Sequence, residues 1–332
     1  MSRVTTSFGH GGMRDFFVCD IFEASPKDDL GTMEHPFFSL STRPDRTIRH
    51  YEHNNTKVTV TPSVRGRATI HDKDILIYCI SQLMAALNAG REINRTLKLT
   101  AHDLLTATRR DTGGDSYTRL RDAFERLAGT RITTNLATGD VETTSGFGLI
   151  EAWEIARKSR GGRMISVTVT LSDWLFRAVQ SKSVLTLSRE YFSLRKPLER
   201  RLYELARKHC GQQRTWRASV KTLHVKAGSD APLRVFRAAL RRMILDNNLP
   251  DYEMNEDLGD VMVITRRRLV ENIVGLPSFR PDTLDVARVM APGWDIYALE
   301  AEWRGFWVVS GRQKLAQPDR AFLGWLRGRI IR

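Results

Sequence analysis

The sequence predicts an α+β chain in which one unit, three helices and then strand hairpins with basic loops, occurs twice ahead of a small helical C-terminal region. Three observations predict it. The apolar period changes from 3.6 to 2 near residue 130 and again near residue 250. The same order of helices and strands leads up to each change. The two third helices also align at an offset of 116, with Leu-Arg-Asp-Ala-Phe-Glu-Arg-Leu (120–127) lying over Phe-Arg-Ala-Ala-Leu-Arg-Arg-Met (236–243). Eight positions alone could match by chance; the repeated order carries the reading of an internal duplication. Three helices followed by a hairpin is the order of a winged helix-turn-helix domain, so two such domains are expected in tandem. At 332 residues the chain has room for both and a small third part.

Residues 1–55 are rich in Asp, Pro, Gly and His without periodicity and read as a poorly ordered arm. The first domain is placed at 56–184. Val58 and Val60 alternate in a strand, and His71-Asp-Lys-Asp74 opens an apolar helix that Gly90 stops. Its uncharged run, Ile75 to Gly90, is 16 residues long and reads as a core helix, too short and polar to span a membrane. Thr100 caps a short helix carrying Leu104 and Leu105. After the turn at Arg109–Ser116, a third helix covers about Tyr117 to Leu127. Two strand pairs follow, 131–136 with 141–144 and 148–153 with 164–169, the second enclosing a basic loop.

The second domain is placed at 185–275. A helix from Leu194 to His209 shows Leu198, Leu202 and Leu205 on one face. A short helix spans Val220 to Val225, a third runs from Leu233 to Leu245, and 251–254 pairs with 261–264. The remainder, 276–332, holds four of the seven tryptophans and ends in an amphipathic helix after Pro318. A small core that needs large side chains is one reading of it, and a partner-binding or base-stacking surface is another.

Charge points to a polyanion. The chain carries +14, and residues 185–275 alone carry +7, from 18 basic against 11 acidic residues. On the helix 233–245, Leu233, Phe236, Leu240, Met243 and Ile244 form one stripe. Arg234, Ala238, Arg241 and Arg242 face the other way, with Arg237 on the flank. Such a face is either simply solvated or suited to a major groove, where Arg binds guanine O6 and N7; the neighbouring turn and hairpin favour the groove. In the first copy Leu120, Ala123, Phe124 and Leu127 are the buried stripe, and Arg121 shares the outward face with Asp122 and Glu125. Arg109, Arg110, Tyr117 and Arg119 could touch DNA at the helix start, so this domain is expected to add phosphate contacts and a dimer surface. Arg157, Lys158, Arg160 and Arg163, then Arg266, Arg267 and Arg268, read as basic wings over phosphates, and Arg65-Gly-Arg67 has the same standing.

Enzyme signatures are missing. There is no phosphate-binding G-x-x-x-x-G-K-[ST] and no G-x-G-x-x-G. Cys19, Cys79 and Cys210 have no metal spacing and fit a reducing compartment. His50-Tyr-Glu-His53 lacks the apolar residue between paired histidines that a nicking enzyme would use to hold a metal. No apolar leader is seen at the N-terminus, so a non-enzymatic cytoplasmic protein without cofactor or metal, and without a membrane partner, is expected.

Val58-Thr-Val-Thr-Pro-Ser63 followed by Gly66-Arg-Ala-Thr-Ile-His-Asp-Lys-Asp-Ile-Leu-Ile-Tyr-Cys-Ile-Ser-Gln-Leu83 resembles the signature of the replication initiator protein A family of bacterial plasmids. Ser116-Tyr-Thr-Arg-Leu-Arg121, Leu127-Ala-Gly-Thr130, Ser188 to Arg207 and Phe236-Arg-Ala-Ala-Leu240 fit it too, so the likeness covers about residues 55 to 275. The resemblance implies two winged helix domains on double-stranded repeats at a plasmid origin. It further implies help from the host initiator, loading of the replicative helicase, and a homodimer that represses its own gene as the counterpart of an origin-binding monomer. The residues alone leave open a winged helix transcriptional repressor with no part in replication.

Overall fold

The computed structural model describes residues 26–53, 56–138, 141–157, 164–211, 213–267, 277, 279–280, 283–291, 294, 296–311 and 315–330. It begins where the sequence gives no periodic signal. Lys27–Asp29 form a strand (β1) and Leu30–Glu34 a helix (α1), capped by the Asp29 carboxylate on the Thr32 N–H at 2.8 Å. β1 runs antiparallel to Val184–Thr186, and Asp28, Asp29, Met33, Phe37 and Phe38 are buried. The poor order expected over residues 1–55 therefore does not hold for 26–53. What orders this stretch is a set of partners far along the chain, which a local pattern cannot register. Residues 1–25 lie outside the described residues.

β2 (Arg49–His53) and β3 (Thr56–Thr61) form an antiparallel pair. α2 (Lys73–Asn88) follows and is buried on every side from Ile75 to Met84, as its uncharged run requires. Its Ile77 packs into the second apolar cluster while Ile75, Leu76, Tyr78, Cys79, Ile80, Leu83 and Met84 belong to the first, so one helix serves both. β4 (Thr96–Leu99) leads into α3 (Ala101–Ala107), where the Thr100 hydroxyl accepts the Asp103 N–H at 3.1 Å. α4 (Gly114–Gly129) buries Leu120, Ala123, Phe124 and Leu127, the expected stripe. β5 (Arg131–Thr138) and β6 (Val141–Gly148) pair, as do β7 (Ile150–Arg157) and β8 (Met164–Leu171). α5 (Asp173–Gln180) closes the unit.

β9 (Val184–Thr186), the partner of β1, leads through a 3-10 turn at Arg189–Ser193 to α6 (Pro197–His209), with proline at its start where no N–H is needed. β10 (Thr215–Ser219), α7 (Val220–Ala227), α8 (Leu233–Asp246), β11 (Tyr252–Asp257) and β12 (Val261–Arg266) complete the second unit. Gly228 ends α7 at φ +65, and a Cβ there would lie 2.5 Å from Pro36 Cβ, so position and packing both call for glycine.

The two units share a topology. α2, β4, α3, α4, β7 and β8 correspond in order to α6, β10, α7, α8, β11 and β12. The three strands pair in the order β4-β8-β7 in one unit and β10-β12-β11 in the other. The strand ahead of the second helix is the part of the repeat that the sequence hides. The β5–β6 hairpin has no counterpart and instead extends β2–β3 into a four-stranded sheet.

A buried ion network joins the units. Lys73, wholly buried, reaches Asp28 at 2.6 Å and Glu204 on α6 at 3.0 Å. Glu204 also takes Arg201 at 3.2 Å and the Tyr191 hydroxyl at 2.7 Å, while Arg201 donates to the carbonyls of Thr32, Met33 and Glu34. Asp74 accepts from Arg200 and from Arg110. Burial pushes the Asp28 carboxyl up to about 8 against the pull of Lys73. The carboxylates of Asp28, Glu204 and Asp29 hold Lys73 charged against its own burial.

α9 (Thr283–Met290), α10 (Ile296–Val309) and α11 (Pro318–Ile330) form a third cluster. Trp303 and Phe322 are buried in it with ring centroids 5.6 Å apart, and Phe279 stacks on Phe322 at 4.9 Å. The small aromatic core is thus present. No described helix is long and apolar enough to cross a membrane. Cys79 and Cys210 are buried free thiols, raised by burial to about 12 and about 11, and Cys19 lies outside the described residues.

Candidate nucleic-acid interface

α8 buries Phe236, Leu240 and Met243 and leaves Arg234, Ala238, Arg241 and Arg242 exposed with Arg237 half-exposed, matching the expected division of its faces. The arginines are not equivalent. Arg237 binds Asp260 through Nε and Nη2 at 2.6 and 2.7 Å. Arg241 binds Glu256 through the same two nitrogens at 2.8 Å each. Arg242 contacts Asp246 one turn on at 3.0 Å. Arg234 has no ion pair or hydrogen bond among the described residues. The guanidinium hydrogen bonds hold Glu256 and Asp260 below the usual carboxylate range, so both pairs stay ionised at neutral pH.

The hairpin that supplies these carboxylates is acidic: Asp251, Glu253, Glu256, Asp257 and Asp260 fall within ten residues. Its turn, Asp257-Leu258-Gly259-Asp260, carries no basic residue. Arg266 sits at the far end of β12, in register with Tyr252, rather than at the turn. Arg267 is folded inward, donating to the carbonyls of Asn247 at 2.7 Å and Tyr252 at 2.9 Å and to the Asn247 side chain at 2.6 Å. It closes the C-terminal end of α8, where Asn247 has a left-handed backbone. The expectation of a basic wing over phosphates is thus corrected at Arg267, whose Nε and Nη2 donors turn to the C-terminal end of α8 and to Tyr252. Arg268 lies outside the described residues.

The first unit uses its arginines differently. Arg109, at φ +53, forms a bidentate pair with Glu190 at 2.7 and 2.8 Å, and Arg110 binds Asp74 and the His71 carbonyl. Both expected DNA contacts at the start of the third helix are therefore committed to ion pairs at the junction or within the unit. Tyr117 packs against the core. Arg119 is exposed with no partner among the described residues, and Arg121 lies 3.8 Å from Glu125. Arg157 is exposed, while Lys158, Arg160 and Arg163 lie outside the described residues. Arg65 is exposed, but Arg67 is wholly buried between Tyr51 and Asp45, at 2.9 and 3.0 Å, so only half of the Arg-Gly-Arg motif can meet a ligand.

A groove of about 620 Å³ lies along the flank of α4 that carries Ser116, Arg119, Asp122 and Arg126. Arg43, Arg110, Arg119, Arg126 and Arg195 line it together with Asp72, Asp111 and Asp122. Arg126 is neutralised by Asp72 at 2.7 and 2.8 Å. Arg43 and Arg195 are wall residues that sequence reasoning missed, because they come from the segment before β2 and from the link between the 3-10 turn and α6. His50 bonds Thr59 at 3.0 Å, and the described residues contain no cluster of three or more His, Cys, Asp or Glu that could hold a metal.

The model of replication initiator protein A matches residues 27–254, from the first residue of β1 into β11. A protein of Wigglesworthia glossinidia brevipalpis described as a replication protein is 38% identical over 260 residues, covering 77% of this chain and 94% of its own. Two crystal structures of domains 2 and 3 of RctB share the fold. One has a TM-score of 0.53 at 14% identity, spanning 71% of this chain and 96% of that one. The other has a TM-score of 0.50 at 15% identity, spanning 70% and 95%.

Proposed function

The chain belongs to the replication initiator protein A family, and from that premise we propose that it is a sequence-specific, non-enzymatic initiator that binds double-stranded repeats at a plasmid origin through two winged helix units. The observation that carries the reading is the repeated helix-strand-helix-helix-strand-strand topology with sheet order first-third-second, each copy exposing arginine on its third helix. That order agrees with a winged helix, in which the third helix enters the major groove. α8, with four arginines, is the main reader, and α4 with Arg119 and Arg121 is the second. Wigglesworthia's replication protein, similar along nearly its whole length, supports a replication role over repression alone. In this reading the bound protein works in the cytoplasm, engages the host initiator and the replicative helicase after duplex melting, and alternates with a homodimer.

A footprint of the purified full chain on DNA flanking its gene tests the reading. Protected direct repeats are the expected result, and protection of no site would overturn it. Incubation with supercoiled plasmid and Mg²⁺ should produce no nicked circles; nicks would return His50 and His53 to consideration.

A further inference from the structure

Two arginines of α8, Arg237 and Arg241, are held, and the way they are held leaves one edge of each open. Asp260 and Glu256 take Arg237 and Arg241 through Nε and Nη2, the side edge of the guanidinium. The end edge, formed by Nη1 and the second N–H of Nη2, keeps two parallel donors. That end edge is the fork that matches O6 and N7 of guanine in the major groove.

Position agrees with this. Arg237 and Arg241 are four residues apart on one face of α8, so they stand about 6 Å apart along the axis. Successive bases on a strand are about 3.4 Å apart. Ala238, exposed beside them, leaves the helix free to approach base edges. The supporting hairpin is itself fixed: the Asp260 carbonyl accepts the N–H of Val220 at 2.9 Å, which ties the turn to the start of α7. An exposed arginine with no partner must give up its rotamer freedom on binding, whereas a carboxylate-held one has already done so. The carboxylates are also neutralised by the pairs, so the acidic hairpin can lie close to DNA without meeting the phosphates as bare charge.

We propose that Glu256 and Asp260 are positioning residues that present Arg241 and Arg237 end-on to two guanines about two base-pair steps apart in the target duplex. The proposal rests on the DNA-binding reading above. Arg234, which has no partner among the described residues, and Arg242, held by a single contact within its own helix, are left for phosphates.

The test is selection from a randomised duplex pool with the full chain, followed by binding to single-base variants of the selected site. Two guanines at the stated spacing should emerge, each preferred over other bases by on the order of tenfold. E256Q should erase the preference at one guanine and D260N at the other. Arg241→Lys should erase the first while keeping the charge. The melting temperature should hold in all three, since exposed ion pairs add little stability. E256Q and D260N, each removing one negative charge beside the DNA, should bind unrelated duplex at least as tightly as the wild type. A selected site without paired guanines, or variants that keep both preferences, would overturn the proposal. If the wild-type chain binds no duplex at all, the DNA-binding reading fails and the proposal falls with it; binding without guanine preference fails the proposal alone.

Discussion

The two copies of the unit share a sheet order and an arginine-bearing third helix, yet they commit their cations in opposite directions. In the first copy Arg109 reaches Glu190 across the junction, and Asp74 gathers Arg110 together with Arg200 from the second unit. In the second copy Arg237 and Arg241 turn to carboxylates of their own hairpin and remain at the surface. The first unit thus uses basic residues to fix where the second unit stands. The second uses acidic residues to fix where its arginines point. Net charge marks the region but does not report this division.

The comparison breaks most severely at Lys73. Removing one partner of a buried ion pair leaves the others charged without compensation, a loss of about 3–5 kcal/mol. Lys73→Met strands the Glu204 carboxylate, while Asp28, already raised to about 8, takes a proton, so urea unfolding should show a fall of that size. A change under about 1 kcal/mol would mean that the network does not hold the units together. Arg267 comes next. Its removal leaves the part-buried Tyr252 carbonyl and the exposed Asn247 carbonyl without their donor, and such hydrogen bonds contribute about 0.5–1.5 kcal/mol each. Arg267→Ala should therefore lower stability while leaving the salt dependence of DNA binding intact. A flattened salt slope at unchanged stability would restore Arg267 to the phosphates.

The junction also carries a pH signature. Asp28 is raised in the folded chain to about 8, by burial first and despite Lys73. A carboxyl raised on folding contributes stability fully present below its unfolded pKa, about 3.9, and lost as pH rises through the folded value. Wild type should weaken between pH 5 and pH 8 relative to Asp28→Asn, measured as urea midpoints at both pH values. Parallel profiles would show that Asp28 does not titrate in this window.

Much of the fold was legible because helices announce themselves through local spacing. The stripes Leu120–Leu127 and Phe236–Met243 are buried as their period requires, and Thr100 caps α3 as its type suggests. What escaped was held by distant partners. β4 and β10 are four and five residues long and take their identity from β8 and β12. Asp28 and Asp29 look like loop acids until Lys73 is brought to them. α5 is different, since Ser172 as a cap with Leu175 and Val179 at i, i+4 was a readable signal. The site divides in the same way. Arginine positions on α8 follow from angle alone, whereas their partners required the fold. Five acids in the ten residues of the following hairpin were nonetheless a visible hint that a basic face had a counterpart. Arg67 gave no such hint, because Tyr51 and Asp45 are assembled only by the sheet and the segment before it.

The smallest expected effect separates the outward face of α4 from the junction behind it. Arg119 is exposed, lines the groove and has no partner among the described residues, so its loss should not change stability beyond the roughly 0.5 kcal/mol of an ordinary surface substitution. If it meets a phosphate, Arg119→Ala lowers the slope of log K against log salt by about 0.9, the counterion release of one contact. Arg109→Ala, whose guanidinium is already paired with Glu190, should leave that slope alone. The pair of variants divides one short stretch of sequence into a residue that faces the ligand and a residue that faces the other unit. Equal slopes in both would mean that the first copy does not touch the backbone through α4.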